Sequence, residues 1–168
     1  MGFFSKFKKQ EAPKPVCDPM TVYAPAAGTV IPLADFPDAL FSQEVMGPGC
    51  GIQPSGDVVV APFNGTVTHV IDTLHAVGVT SDSGMEMVIH IGVDTVAMNG
   101  KGFRSEVKNG QAITMGQPLI HFDSNAIKDA GYPDAIAVIV TNGGAYQTVE
   151  RIASGEVTPG EPLLKIRE

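Results

Sequence analysis

Hydrophobic residues recur in short runs along the chain, separated by glycine, proline, aspartate and serine. Short apolar or alternating runs bounded by such turn residues are typical of β-strands. The pattern predicts strands near residues 76–81, 85–91, 111–114, 118–122, 135–140 and 162–166. It predicts short helical turns at 36–43, 93–98, 124–130 and 146–153. The expected fold is therefore all-β, an antiparallel β-sandwich or distorted barrel with a few short helical turns.

Two segments of the chain resemble each other. "VYAPAAGTVIPL" (22–33) and "VVAPFNGTVTHV" (59–70) share the pattern V-x-A-P-x-x-G-T-V. In each segment a proline and a glycine lie between two strand-like runs, which predicts strand, turn and strand. Two copies are too few for a solenoid, so the repeat favours a sandwich built from paired hairpins.

The first 19 residues differ in composition from the rest. "EAPKPVCDP" is a proline-rich linker, which predicts a flexible tail and linker over 1–19 and one folded domain over 20–168. Phe3, Phe4 and Phe7 lie at helical spacing among lysines. Such a basic, aromatic segment suits weak contact with an anionic membrane surface, although composition alone favours a disordered tail.

Charge and cysteine content indicate which kinds of partner the protein binds and in which cellular compartment it is found. The net charge is −7, and because the first sixteen residues carry +3, the remainder carries −10. An acidic body argues against nucleic acid and favours basic protein partners. The two cysteines, Cys17 and Cys50, match neither a metal-binding spacing nor a disulfide framework. No secretion signal or run of about 20 apolar residues is found, so a reducing cytoplasm is predicted.

The segment between His75 and His90 predicts a β-hairpin. Its centre is "SDSG", the clearest turn signal in the chain. A loop of Asp82 and Ser83 places His75 directly opposite His90, and a loop of Ser83 and Gly84 makes them diagonal neighbours. A three-residue loop with a bulge would shift the pairing by one residue.

Strand periodicity assigns the residues of this hairpin to two faces. Met87, Ile89 and Ile91 are expected to point into the core, and the opposite face is expected to carry Ile71, Thr73, His75, Val88, His90 and Gly92. Two imidazoles on one exposed patch favour a functional pair over a structural one. His69 and His121 are interpreted as a surface histidine and a strand histidine without chemistry.

Two kinds of chemistry suit a pair of imidazoles. Imidazole is a common zinc ligand, but two ligands are too few for a tight site and no H-x-H or H-E-x-x-H is present. A neutral imidazole is also a nucleophile that can accept a phosphoryl group, with the neighbouring ring and nearby amides stabilising the phosphoryl oxygens. For His90 to attack, its other nitrogen must carry the proton and donate it, for example to a backbone carbonyl.

The segments "VAPFNGTV", "DTLHAVGVTSDSGMEMVIHIGVDTV" and "GKGF" resemble the glucose-specific type of IIA component of the bacterial phosphotransferase system. The resemblance extends over the whole chain, including the tail and the ending "VTPGEPLL". It implies a phosphotransferase of the cytoplasm, peripheral at the inner membrane face through its tail. It implies a phosphohistidine intermediate, formed when His90 Nε2 accepts a phosphoryl group from the phosphocarrier HPr and lost when a cysteine of a IIB domain takes that group.

The resemblance also assigns roles to the surrounding residues. His75 supports His90, and Thr73 is hydrogen-bonded to His75. The residues expected to bind partners are Asp38, Leu40, Phe41, Met46, Ile71, Val88 and Asp94. Ile71 and Val88 replace the aromatic residues common in the family, which bears on partner preference. No cofactor is required; a regulatory zinc on His75 and His90 would need a partner's carboxylate, and regulated transporters or metabolic enzymes are further expected partners.

Three other classes have weaker support. A biotinyl or lipoyl carrier needs a lysine at a hairpin tip, and the chain has "MEM" with no lysine between Lys14 and Lys101. A lysostaphin-type zinc endopeptidase needs a third ligand and H-x-H, which are missing. A noncatalytic sandwich that binds partners through its acidic face is the remaining alternative.

Overall fold

The computed structural model describes residues 16–168, so the aromatic and basic residues of the tail lie outside the described part of the chain. Over this range the chain forms short strands joined by turns, with two short α-helices, α1 (Ala39–Ser42) and α2 (Ser124–Asp129). Short 3₁₀ helices occupy Leu33–Asp35, Thr95–Met98 and Gly143–Ala145. The strands are β1 (Thr21–Tyr23), β2 (Gly28–Pro32), β3 (Gly49–Pro54), β4 (Val58–Val60), β5 (Gly65–Val70), β6 (Ala76–Ser81), β7 (Glu86–Ile91), β8 (Phe103–Ser105), β9 (Ala112–Ile113), β10 (Pro118–Phe122), β11 (Ile136–Val140), β12 (Thr148–Arg151), β13 (Glu156–Val157) and β14 (Pro162–Arg167).

Within residues 16–168 the strands form three antiparallel sheets. The largest has the order β13-β2-β3-β11-β7-β6-β5-β9, and two smaller sheets have the orders β1-β14-β12 and β4-β10-β8. None of the three closes on itself, so the all-β expectation is confirmed in its sandwich form. Both repeated segments form strand, turn and strand, as β1–β2 and β4–β5.

The main core lies on one face of the large sheet. Met87, Ile89 and Ile91 of β7 are fully buried in it, which confirms the predicted inward row. On β11 all five residues are buried, because a second, smaller cluster covers the outer face of that strand. This second cluster consists of Leu33, Phe36, Phe41, Val93, Ala135, Ala137 and Ile139. It supports α1 beside the outward face of β7.

One predicted element is wrong, and four strands were not predicted. Residues 146–153 were expected to form a helical turn, but β12 lies there and pairs with β14. β3, β8, β12 and β13 have no clear strand signal, and β3 contains two glycines and a proline. A Cβ on Gly51 would lie 2.6 Å from the Phe36 ring, so a residue that weakens the strand signal is needed for close packing. Long-range pairing overrides local preference in these segments.

Candidate functional site

His90 lies near the end of β7, between two strands that present small residues beside it. Its cross-strand neighbours are Ala76 on β6 and Ala137 on β11. Directly opposed residues share one face of a sheet, so the imidazole stands between two methyl groups. The ring is half-buried, so part of it is accessible to a partner.

The His90 ring has a defined hydrogen bond. Its Nδ1 lies 2.8 Å from the backbone carbonyl oxygen of Gly92. A carbonyl oxygen only accepts, so Nδ1 must carry the proton and donate it. In the neutral ring this leaves Nε2 with a free lone pair, which is the state that a nucleophile requires.

The turn after β7 holds the Gly92 carbonyl in place. Gly92 has φ +79°, and a Cβ there would lie 2.4 Å from Thr95 Cγ2. Thr95 is fully buried and donates a hydrogen bond of 2.6 Å to the Ile91 carbonyl oxygen. Glycine at position 92 is therefore required both by the backbone conformation and by the contact with Thr95.

His75 is almost completely buried and lies edge-on to His90. The ring centroids are 4.9 Å apart, at an interplanar angle of 78°. His75 Nδ1 lies 2.8 Å from Thr73 Oγ1. When the threonine hydroxyl donates to Nδ1, the proton of the neutral His75 ring is on Nε2, which is then a hydrogen-bond donor.

Of the three registers that the hairpin sequence allows, the structure has the one in which His75 and His90 are not directly opposite. The hairpin loop has three residues, Asp82 to Gly84, and Gly84 adopts φ +93°. The register is thereby shifted, so that Ala76 is opposite His90, and the backbone carbonyl of His75 accepts from Ile91 N. This is the bulged three-residue alternative.

The rings nevertheless meet because His75 lies outside the strand. β6 begins at Ala76, and the residue before His75, Leu74, has φ +62°. If β6 continued through His75, strand alternation would place the two imidazoles on opposite faces. The left-handed residue breaks that alternation and allows the His75 ring to lie beside His90.

Burial favours the neutral form of both rings. Desolvation, followed by the nearby His90, lowers the pKa of His75 to about 4. Desolvation also lowers the pKa of His90, although its bond to Gly92 and the charges of Asp38 and Asp94 act in the opposite direction. Each imidazole therefore stays uncharged at neutral pH.

The expected partner-binding residues lie in three places around the histidines. On α1, Phe41 is buried with its ring centroid 5.1 Å from that of His90, whereas Leu40 is exposed. Asp38 caps α1 by accepting from Leu40 N. Met46, after α1, is exposed, Ile71 in the β5–β6 loop and Val88 on β7 are half-buried, and Asp94 after β7 is exposed.

Sequence reasoning missed several features of this surface. Val45 and Val96 are the most exposed large hydrophobic residues of residues 20–168, at 65% and 56%. Val45 directly precedes Met46, and Val96 lies two residues after Asp94. The flanking alanines and the Gly92 acceptor were also not assigned. Isolated valines and alanines carry no distinctive signal, whereas the glycine that follows the histidine strand is a turn signal that could have pointed to the Gly92 carbonyl.

The site contains two potential zinc ligands and no third. No group of three or more His, Cys, Asp or Glu side chains in residues 16–168 is arranged to hold a metal ion. His75 and His90 fit only part of a zinc site, since zinc in proteins usually has at least three protein ligands.

The other ionisable residues singled out lie elsewhere. His69 is exposed on β5, and His121 on β10 lies 3.1 Å from a Glu106 carboxylate oxygen. Cys50 is fully buried on β3, and its burial raises the pKa of the thiol to about 12, which makes it unreactive. The Cys17 sulfur lies 3.7 Å from the sulfur of Met115.

Comparison with known proteins identifies the class as a component of a sugar phosphotransferase system. The family described as phosphoenolpyruvate-dependent sugar phosphotransferase system, EIIA 1, matches residues 20–146. The chain belongs to this family, and membership supports a role as a phosphoryl carrier of that system.

A solved structure agrees with this assignment. The glucose permease IIA from Mycoplasma capricolum is 32% identical and superposes with a TM-score of 0.76. The match covers 86% of this chain and 93% of the Mycoplasma chain. The resemblance to a glucose-type IIA component is thereby confirmed.

The helices between residues 16 and 168 are too short or too polar for any of them to span a bilayer.

Proposed function

We propose that His90 accepts a phosphoryl group on Nε2 from phospho-HPr and passes it to a cysteine of a IIB domain during sugar uptake. The observation that carries this proposal is the 2.8 Å hydrogen bond from His90 Nδ1 to the Gly92 carbonyl. It selects the tautomer whose Nε2 lone pair is free. The lowered pKa of His90 keeps that lone pair unprotonated at neutral pH.

Transfer to His90 requires one bond to form and one to break. The Nε2 lone pair attacks phosphorus in line, and the bond from phosphorus to the HPr imidazole breaks with its electron pair returning to that ring. The proton stays on His90 Nδ1, hydrogen-bonded to the Gly92 carbonyl, throughout the transfer, so no proton needs to move. The onward step has the same form, with a IIB thiolate as the nucleophile and neutral His90 as the leaving group.

His75 is suited to support the phosphoryl group. With its ring 4.9 Å from that of His90, a His75 Nε2–H can donate to a phosphoryl oxygen. Thr73 Oγ1 lies 2.8 Å from His75 Nδ1, and donation of its hydroxyl proton to Nδ1 would keep the ring proton of His75 on Nε2. Because His75 is neutral, it stabilises the phosphoryl group by a hydrogen bond alone. A positively charged ring would bind the group more tightly and hinder its onward transfer.

The surroundings of His90 suit transient docking. Leu40, Phe41, Met46, Ile71 and Val88 provide an apolar rim that excludes water during transfer. Asp38 and Asp94 provide negative charge for a basic patch on HPr. Because the partner must dissociate after each transfer, we expect an interface below about 1,200 Å².

Phosphorylation would change this surface. A phosphoryl group adds a charge of about −1.5 to −2 to the surface around His90. The unphosphorylated apolar surface is therefore the state suited to regulatory binding of transporters or metabolic enzymes. No cofactor is needed for transfer, and a regulatory zinc would require a carboxylate from such a partner to complete the set begun by His75 and His90.

The proposed location is the cytoplasm, at the inner face of the membrane. The basic and aromatic tail sequence supports weak contact with anionic lipids, which would keep the chain near a membrane-bound IIB domain.

The test is incubation of the purified chain with radiolabelled phospho-HPr. We expect one acid-labile phosphoryl group per chain, located on His90 by peptide mass spectrometry. Addition of the IIB domain of a glucose-type permease should then discharge it. A noncatalytic binding module would bind HPr without acquiring label, and label on serine or threonine would contradict the proposed nucleophile.

A further inference from the structure

Asp134 is a buried carboxylate that the proposed transfer step does not use. It directly precedes β11, and the residue is only 4% exposed. Its Oδ1 accepts a hydrogen bond of 2.8 Å from Gln53 Nε2. Its Oδ2 lies 3.7 Å from Lys128 Nζ and receives no hydrogen bond from the described residues. Burial of a carboxylate with so few partners lowers the stability of the fold, so Asp134 is expected to have a role other than stabilisation.

The residues on both sides of Asp134 hold the turn that follows His90. The Pro133 carbonyl accepts from Val93 N at 3.0 Å, and the Ala135 carbonyl accepts from Gly92 N at 2.8 Å. The peptide unit that joins Gly92 to Val93 is thus held at its N–H by Pro133. The carbonyl of that same peptide unit accepts the Nδ1 proton of His90.

Asp134 ties this segment to two other elements. Gln53 belongs to β3, and Lys128 belongs to α2. The bond from Gln53 and the ion pair with Lys128 fix Asp134, and the turn after β7 is hydrogen-bonded to the residues on both sides of it. A Cβ on Gly92 would lie 3.0 Å from the Pro133 carbonyl oxygen, so the two segments are in close contact.

We infer that Asp134 is a positioning residue for His90. By fixing residues 133–135, it keeps the Gly92 carbonyl aimed at Nδ1 and so keeps the His90 proton off Nε2. A hydrogen bond at one ring nitrogen of a neutral imidazole determines which of the two nitrogens carries the proton. Without this alignment, both tautomers of His90 should therefore be populated. The effect on phosphoryl transfer rests on the proposed function, whereas the effect on the tautomer does not.

The experiment measures the His90 tautomer directly by ¹⁵N NMR of the imidazole in the unphosphorylated protein. In the wild type we expect a single form with the proton on Nδ1. In Asp134→Ala we expect a mixture of tautomers, with phosphoryl acceptance from phospho-HPr slowed by up to about 100-fold. Ile166→Val is the control, because it truncates a core residue on β14 that makes none of these contacts. It should change neither the His90 tautomer nor the rate of phosphoryl acceptance.

Two further variants separate positioning from loss of stability. Asp134→Asn removes the pairing with Lys128 and keeps an acceptor for Gln53, so it should shift the tautomer less than Asp134→Ala. The double variant Gln53→Glu with Asp134→Asn exchanges the two partners and restores an amide–carboxylate hydrogen bond. We expect it to recover the Nδ1 tautomer relative to a Gln53→Glu single variant, in which two carboxylates face each other.

The inference is overturned if Asp134→Ala and Asp134→Asn keep the wild-type tautomer, whatever their melting temperatures. If Asp134→Ala does not fold, Asp134→Asn and Gln53→Met decide the question in the same way. A wild-type protein that shows the Nδ1 tautomer but takes no phosphoryl group would contradict the proposed function, whereas the positioning role is decided by the tautomers of the Asp134 variants alone.

Discussion

The imidazoles of His75 and His90 meet edge to face at 4.9 Å, although the strand register places Ala76, and not His75, opposite His90. The contact arises because Leu74 takes a left-handed conformation immediately before His75. One ring is therefore carried by a strand and the other by a loop. His90 is held by the sheet, and His75 is held by Thr73 and by burial.

Replacement of His90 should abolish phosphoryl acceptance. His90→Ala removes the proposed nucleophile. No other histidine in residues 16–168 donates a hydrogen bond from Nδ1 to a backbone carbonyl and so keeps a desolvated Nε2 free. Incorporation of label from phospho-HPr should fall to background. His121→Ala serves as the control, because His121 contacts Glu106 and should be dispensable. Phosphohistidine formed in His90→Ala would show that the roles are wrongly assigned.

Replacement of His75 should separate the two transfer steps. His75→Gln should still accept from HPr, because the nucleophile and its Gly92 partner are unchanged. Discharge to IIB should slow by about 100-fold or more, the usual cost of losing one donor to a developing charge. Stopped-flow measurement of each half-reaction tests this expectation.

Thr73→Val should have a smaller effect on the same step. It removes the hydroxyl that interacts with His75 Nδ1 and leaves the ring in place. Slowing of discharge in His75→Gln without any slowing in Thr73→Val would show that the hydroxyl does not set the His75 tautomer.

Gly92→Ala should destabilise the fold more than an alanine at a comparable glycine. Gly92 and Gly116 both have positive φ, but a Cβ at Gly116 would meet nothing within 4 Å. We expect Gly116→Ala to cost roughly 1–2 kcal/mol of unfolding free energy from the backbone conformation alone. Gly92→Ala should cost about 2 kcal/mol more, because its Cβ overlaps Thr95. Urea denaturation measures the difference, and equal losses would argue against the contact.

Acid should weaken the fold through His75 and His90. An unfolded histidine has a pKa of about 6.5, and in the fold the pKa of His75 is lowered to about 4. Between these values the unfolded chain binds more protons than the folded chain. The stabilisation linked to neutral His75 is therefore complete above about pH 6.5 and is lost as pH falls towards 4. Each histidine contributes a slope of at most about 1.4 kcal/mol per pH unit.

The His75→Gln variant isolates this contribution from that of the carboxylates. Unfolding free energies of wild type and His75→Gln, measured by urea denaturation from pH 4 to 8, should differ in slope below pH 6.5 and run parallel above it. Parallel curves over the whole range would mean that burial does not hold His75 neutral.

Neutralising the carboxylates beside His90 should slow association with HPr. Asp38→Asn keeps the cap of α1, since asparagine is also a good N-cap, and removes only the charge. Combined with Asp94→Asn, it should lower the association rate several-fold at low salt, and the difference should vanish near 1 M salt. Glu156→Gln combined with Glu168→Gln, both at exposed positions, is the control with the same change of two units in net charge. An equal effect of the control would indicate that only the overall charge matters.

Much of the fold was predictable because strand signals are local. The limits of β6 and β10 agree with the predicted strands, and the inward row of β7 follows from simple alternation. β12 was mistaken for a helical turn and β3 was missed, because their strand character comes from pairing with β14 and with β2 and β11. Such pairing joins residues far apart in sequence and leaves little trace in either segment.

The sequence by itself determined that two histidines flank one tight turn, that the later one faces away from the core, and that the chain is an all-β member of a recognisable family. Alternation and turn residues act over a few positions, so they can be read locally. Only the tertiary structure decided the three-residue loop, the left-handed Leu74 that returns His75 to the face of His90, and the Gly92 carbonyl that selects the reactive nitrogen. These depend on one-residue shifts in register and on contacts with β11 and the segment before it, which are set by packing across the whole domain.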